Sequence, residues 1–65
     1  MNSDQLKGHW TELVGQVREH WGELNEDEVQ QTKGDREQMI GQIQKKYGKT
    51  REEAEREFDK FVAGL

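Results

Sequence analysis

The apolar residues in the first third of the chain recur at the spacing of one helix face. Successive members are separated by four, three, one, three and four residues, which at about 100° per residue places them within an arc of about 100°. They are Leu6, Trp10, Leu13, Val14, Val17 and Trp21. We predict an amphipathic helix over about residues 3–21. A capping box of Asn2 and Gln5 opens it, and Gly22 ends it in the left-handed conformation.

A second capping box predicts a short helix at about residues 26–32. Asn25 and Glu28 form this box, and the acidic first turn suits the helix dipole. Val29 is the one convincing apolar residue of this helix, with Leu24 just outside as a hydrophobic staple. Because isolated short helices are unstable in water, this one depends on packing.

The second half of the chain predicts two more helices. The third starts between Lys33 and Asp35 and ends at Gly48, and the fourth spans residues 51–63 behind a capping box of Thr50 and Glu53. Their apolar residues are Met39, Ile40, Ile43 and Tyr47, then Ala54, Phe58, Phe61 and Val62, with Leu65 as a further candidate for the buried side.

The chain contains an internal repeat with an offset of 26 residues. The segment from Gly8 to Gly22 returns as Gly34 to Gly48, with glycines, apolar residues and one glutamine at matching positions. Each half therefore consists of a longer helix, a glycine turn and a capped second helix. We predict one all-α domain over residues 1–65, built as four helices in two packed hairpins that share one core.

Size and composition indicate a thin core. A chain of 65 residues is near the lower limit for folding on a hydrophobic core alone, and it has no cysteine for disulfides or zinc. Hydrophobic residues make up 29% and charged residues 37%. We expect a stability of at most a few kcal/mol.

Charge and hydropathy limit the partners. The start of the chain has no basic segment followed by an apolar run, and no stretch approaches the ~20 apolar residues of a membrane span, so we expect a cytoplasmic protein without membrane contact. The net charge of −4 opposes binding to phosphate backbones. A local basic patch at the second glycine turn is the alternative, either as a weak nucleic-acid contact or as a solvated surface; its residues are Lys45, Lys46, Lys49 and Arg51.

The reactive side chains do not form a recognisable catalytic or metal site. His9 and His20 lie about 16 Å apart along one helix, too far to share a metal ion. The acidic run from Glu23 to Glu28 lacks the spacing and central glycine of a calcium loop. Carboxylate pairs such as Glu12 with Glu19 need a cleft that a domain of this size has little room for. We expect no enzymatic activity, cofactor or metal, and we interpret the two tryptophans as core anchors rather than as a stacking platform.

Four glycines fall away from the apolar stripes: Gly8, Gly15, Gly34 and Gly41. An interior helical glycine costs about 1 kcal/mol relative to alanine. One interpretation is a bare outer surface that another helix or protein approaches closely, which makes these glycines the candidate interaction surface. A second is that they keep the helices loose until a partner or crowding orders them. A third is that they have no role.

The arrangement of these residues resembles the CsbD-like family of small bacterial stress-response proteins. The resemblance rests on Trp21-Gly22 and Tyr47-Gly48, on the glycine spacing between them, and on the run Glu53-Ala54-Glu55. It implies a cytoplasmic protein induced in general stress, with two helical hairpins arranged as in SAM domains. It implies no catalytic residues. We therefore expect a non-enzymatic interaction or protective module, acting on an unidentified protein partner or by self-association.

Overall fold

A computed structural model describes residues 2–65 and is helical, with five helices in the described chain. The helices are α1 (Ser3–Gly8), α2 (Trp10–His20), α3 (Glu26–Gln31), α4 (Arg36–Tyr47) and α5 (Arg51–Ala63). Helix α2 packs against α3, and α4 packs against α5, so each half of the repeat contributes one pair of neighbouring helices. The all-α class is confirmed, whereas the expected number of four helices is wrong.

The extra helix arises from a break at His9. This residue has φ −106° and ψ 9°, and its carbonyl accepts from the amides of Glu12 and Leu13 as the first turn of α2. Gly8, just before the break, is among the poorest helix formers. Across the break, Leu6 lines the same depression as Phe58 of α5, while Trp10 donates a hydrogen bond to the Val29 carbonyl of α3. The single helix expected over residues 3–21 is therefore two helices that reach different parts of the core.

Three of the helix starts follow the predicted capping boxes. Asn2, Asn25 and Thr50 each accept from the backbone amide three residues on, and the Gln5, Glu28 and Glu53 side chains return the bond to complete three capping boxes. Asp35 caps α4 by accepting from the Gln38 amide at 3.0 Å. The fourth predicted helix, 51–63, has the bounds of α5.

The two predicted glycine terminators behave differently. Gly48 ends α4 in the left-handed conformation at φ 64°, as expected. Gly22 does not adopt a positive φ, because α2 already ends at His20 and Trp21 takes the capping position. The expected left-handed role of Gly22 is wrong.

The core is formed by the apolar stripes of all five helices together with Trp21 and Leu24. Its buried members are Leu6, Trp10, Leu13, Val14, Val17, Trp21, Leu24, Val29, Met39, Ile40, Ile43, Ala54 and Phe58. Tyr47, Phe61 and Val62 pack against this cluster while partly buried. Leu65 stays 41% exposed. The predicted stripes therefore do form one core, as expected from the helical spacing.

Candidate interaction surface

Two glycines at equivalent positions of the repeat lie on open helix surfaces. Gly15 is in the middle of α2 and Gly41 in the middle of α4, and both are exposed. A Cβ atom added at either position would meet no heavy atom within 4 Å. Gly8, the last residue of α1, is also exposed with open space around it. These three glycines lie outside the core, as the helical angles indicated.

Gly34 does not share this surface, which corrects the expectation for that residue. It is buried in the turn between α3 and α4 at φ 79°, and a Cβ there would lie 3.0 Å from the Lys7 Cα. The repeat equates Gly34 with Gly8, yet Gly34 packs against α1 itself. Its role is a close backbone approach in a left-handed turn, which only glycine permits without strain.

The surroundings of the two open glycines are polar. Residues three and four positions away on a helix are surface neighbours. For Gly15 these include Glu12 and Glu19, and for Gly41 they include Gln38 and Lys45, all exposed. A partner at these sites would therefore meet bare backbone framed by charged and amide side chains.

The glutamine that follows each glycine in the repeat is placed differently in the two halves. Gln16 is exposed, whereas Gln42 is partly buried, and its Oε1 has no hydrogen-bond partner among the described residues. The repeat thus conserves the residue type but not its environment.

The four residues of the expected basic patch are mostly paired with carboxylates. Lys46 contacts Glu28 of α3 at 2.7 Å, and Lys49 forms an ion pair with Glu57 of α5. Arg51 contacts Glu37 at 2.5 Å and Glu55 at 2.6 Å. Lys45 forms no ion pair within residues 2–65 and is exposed. Because three of the four cations are matched by acids of the same molecule, this arrangement does not support a phosphate-binding patch.

A second set of ion pairs joins α4 to α5. Arg36 donates from Nε and a terminal nitrogen to the two carboxylate oxygens of Asp59, both at 2.9 Å. The same guanidinium lies 3.7 Å from Glu55, which in turn contacts Arg51. A bidentate arginine–carboxylate pair is the geometry that gives such contacts direction as well as charge. These residues hold the start of α4 against the middle of α5.

The carboxylates with shifted pKa values are structural partners rather than proton donors. The Lys46 hydrogen bond, followed by the Asn25 backbone, lowers the pKa of Glu28 below 4.5. Hydrogen bonds from Lys49 and, less strongly, Trp21 lower the pKa of Glu57. A general acid needs the opposite shift, toward neutrality. These carboxylates are therefore ionised at neutral pH and fixed in ion pairs and caps.

Trp21 is a core anchor, as expected. Its side chain is 2% exposed and stacks edge-on against Phe61 with ring centroids 5.1 Å apart. The His20 ring also packs edge-on against it at 4.3 Å, and the indole Nε1 faces Glu57 at 3.4 Å. Neither this ring nor the buried Trp10 presents a free face to a ligand.

At least two surface depressions lie along α5 in the described part of the chain. One, of about 150 Å³, lies between α1 and α5 and includes Leu6, Phe58 and Val62 in its lining. The other, of about 440 Å³, lies between the ends of α2 and α5 beside His20, Phe61 and Leu65. Within the described part of the chain, no three metal-ligating side chains converge on one point, and no helix is both long and apolar enough to cross a bilayer.

The sequence pattern of the CsbD-like family matches residues 4–56. The chain is 43% identical over 61 residues to the UPF0337 protein PA4738 of Pseudomonas aeruginosa, covering 94% of each chain. It is 52% identical over 61 residues to the UPF0337 protein RB10934 of Rhodopirellula baltica, covering 94% of this chain and 90% of the relative. No solved structure matches the chain, so the SAM-like arrangement stays a prediction.

A third relative is the UPF0337 protein YjbJ of Escherichia coli, which is 39% identical over 61 residues and covers 94% of this chain and 88% of its own length. Each of these three matches covers 94% of the chain. The chain belongs to the CsbD-like family of small bacterial stress-response proteins.

Proposed function

We propose that this protein is a non-enzymatic module that acts in the stress response by binding a protein partner. The partner contacts the outer faces of α2 and α4 around Gly15 and Gly41. The observation that carries the proposal is the open space at both glycines, where an alanine would fit without contact. Since each glycine costs about 1 kcal/mol of helix stability, two such residues in a thin-cored domain imply a use for the bare backbone.

The chemistry of the carboxylates supports a binding role over catalysis. The pKa values of Glu28, Glu53, Glu57 and Asp59 are all lowered, each chiefly by a hydrogen bond that is part of the fold. Acid–base catalysis uses carboxyl groups whose pKa is raised toward neutrality by burial. These four carboxylates serve the caps of the helices and the ion pairs between them.

The matched positions of the two halves support a finer proposal about the fold. We infer that residues 10–31 and 36–57 are two copies of one duplicated hairpin, arranged as in SAM domains. Trp21 and Tyr47 stand at equivalent positions and both pack on the core, and the capped helices α3 and α5 follow them. An experimental structure in which the two hairpins fail to superpose would contradict the duplication.

Photo-crosslinking tests the binding proposal in living cells. A crosslinking amino acid is placed at Thr11 or at Gln38, which are exposed on the same faces as Gly15 and Gly41. Adducts are compared between stressed and unstressed cells, with a crosslinker at the exposed Glu52 of α5 as the positional control.

The decisive variants are Gly15→Gln and Gly41→Gln, which fill the open space with a neutral side chain. We expect a discrete adduct from Thr11 and Gln38 that is lost in both glycine variants and retained in Glu52→Gln. Adducts that persist in the glycine variants, or that form equally from Glu52, would place the interaction elsewhere. Circular dichroism of each variant confirms that the helices are intact.

A further inference from the structure

Helix α1 is separated from the rest of the fold by the break at His9. The backbone at His9 is non-helical, and α2 starts again with its own hydrogen bonds to the His9 carbonyl. The neighbouring Gly8 is exposed and has no side chain to hold the junction. A few junction residues of this kind can absorb the φ/ψ change of a hinge.

The anchoring of α1 to the core is slight. Leu6 is its only buried residue, and a shallow cavity of about 150 Å³ remains between it and the α5 residues Phe58 and Val62. A helix of six residues is unstable by itself in water. Regions with few buried apolar contacts open at lower free energy than the whole domain.

The surface beneath α1 is held together without it. Arg36 of α4 and Asp59 of α5 both line the cavity, and their bidentate pair at 2.9 Å links these helices directly. The capping box of α1 is likewise internal, since it joins Asn2 to Gln5. Moving α1 out of its position therefore leaves this α4–α5 ion pair intact.

One residue of another element sets how closely α1 can approach. A Cβ atom at Gly34 would lie 3.0 Å from the Lys7 Cα and 3.3 Å from the Leu6 carbonyl oxygen, which are backbone atoms that cannot rotate away. Gly34 thus provides a surface without a side chain, here called the seat, against which the last turn of α1 packs. This is a backbone packing relation between α1 and the α3–α4 turn, independent of the contacts that the Leu6 side chain makes.

We propose that α1 is a hinged lid, which opens as one unit about His9 while α2 to α5 stay folded. In the closed state it covers Phe58 and Val62, with Lys7 against Gly34. In the open state Leu6, Phe58 and Val62 are exposed to solvent together, and the ion pair of Arg36 with Asp59 remains.

Native-state hydrogen exchange of the full chain tests the lid. The amides of Leu6 and His9 donate within α1 to Asn2 and Gln5, and they report its opening because a helix of six residues melts once it leaves the core. The amides of Trp21 and Val29 report the remaining fold. We expect Leu6 and His9 to exchange at least tenfold faster than the reference amides, with equal protection and little dependence on dilute urea.

A pair of glycine variants isolates the seat. Gly34 and Gly48 both have a positive φ, at 79° and 64°, so alanine strains the backbone at either site. Only at Gly34 does the added Cβ meet another element, because Gly48 has nothing within 4 Å. We expect Gly34→Ala to raise the exchange of Leu6 and His9 relative to Trp21 and Val29 by at least a further tenfold, and Gly48→Ala to leave that ratio within twofold.

Three results would overturn the proposal. In the first, all four amides share one rate and one urea dependence, which means that α1 opens only with global unfolding. In the second, protection falls in steps from His9 to Leu6, which is fraying. In the third, the two alanine variants change the ratio equally. The first two are decided on the unaltered protein, so they stand even if Gly34→Ala does not fold.

Discussion

The indole Nε1 of Trp10 donates a hydrogen bond of 2.8 Å to the main-chain carbonyl of Val29. It joins α2 to α3, since Val29 is the buried residue of that short helix. The same carbonyl accepts from the Thr32 hydroxyl at 2.7 Å, and Thr32 is itself 1% exposed. Burying a polar group is unfavourable unless the group has a hydrogen-bond partner. These two hydrogen bonds satisfy the Val29 carbonyl and fix the position of α3 on the core.

Two substitutions of Trp10 separate the contribution of this hydrogen bond from the contribution of side-chain packing. Trp10→Ala removes a buried aromatic side chain and is expected to cost about 3–5 kcal/mol, enough to unfold the domain. Trp10→Phe keeps much of the volume but loses the donor. We expect it to cost about 1 kcal/mol more than the matched Trp21→Phe, because the Trp21 nitrogen makes only a 3.4 Å contact with Glu57. Urea unfolding followed by circular dichroism measures both, and equal costs would show that the Val29 bond adds nothing.

Alanine substitutions at the exposed glycines are expected to increase the stability of the fold, whereas the tryptophan substitutions lower it. Gly15→Ala and Gly41→Ala are each expected to stabilise the protein by about 1 kcal/mol, since the new methyl group meets no neighbour. For a domain of this size that corresponds to a rise of about 4–8 °C in Tm. Gly48→Ala is the control and is expected to lower Tm because of its positive φ. A lower Tm for Gly15→Ala or Gly41→Ala would mean that a second molecule already packs on that face.

Local signals in the sequence predicted most helix ends but not the path of the first helix. The capping boxes at Asn25 and Thr50 depend on residues three apart, so they can be read directly, and α3 and α5 start where these boxes place them. The break at His9 depends on the long-range packing of Leu6 near α5 and of Trp10 against α3. The spacing of apolar residues along the chain does not encode such contacts. The helical spacing of the apolar residues continues through residue 9 without interruption, so it gives no sign of the break.

The candidate surface shows the same limit. Gly8 and Gly34 occupy equivalent repeat positions, yet one is open and the other is buried against Lys7. Helical angles could place a glycine away from its own stripe, but they could not show that a neighbouring helix covers it. For the basic patch, sequence proximity grouped the cations correctly around one turn and could not show the carboxylates of α3, α4 and α5 that pair with them.

Acid is expected to weaken the fold through four carboxylates. The pKa values of Glu28, Glu53, Glu57 and Asp59 are lowered from 4.5 for Glu and 3.8 for Asp by hydrogen bonds in the folded chain. Such groups contribute stability that is complete above their unfolded pKa and is lost as pH falls through the lower folded pKa. We therefore expect these groups to leave the urea midpoint unchanged between pH 7 and pH 5 and to lower it below about pH 4.5.

A variant that cannot ionise at residue 53 tests whether Glu53 contributes to this loss of stability at acid pH. Glu53→Gln retains a side-chain acceptor for the Thr50 cap but does not ionise, so it is expected to reduce the drop in urea midpoint between pH 5 and pH 3. Glu52→Gln is the neighbouring control, because Glu52 forms no ion pair within residues 2–65. If the two variants lose stability in parallel with the unaltered protein, the loss arises from other groups.

The adjacent lysines of α4 provide a test of whether the cations act within the fold. Lys46 lies 2.7 Å from Glu28 of α3, whereas Lys45 is exposed and forms no ion pair in the described chain. We expect Lys46→Gln to lower the free energy of unfolding by less than about 1 kcal/mol, as is usual for partly exposed pairs, and Lys45→Gln to leave it unchanged.

Reversing both charges of the pair separates the contact from the loss of a lysine. The double variant Lys46→Glu with Glu28→Lys restores opposite charges between α3 and α4, so it is expected to be more stable than Lys46→Glu alone. The difference in free energy of unfolding between the double variant and Lys46→Glu is expected to shrink in 1 M salt, where exposed charges are screened within about 3 Å. The swap also places a lysine in the first turn of α3, near its positive N-terminus, so the rescue is expected to be partial. A double variant no more stable than the single one at low salt would show that Lys46 does not tie α4 to α3 through its charge.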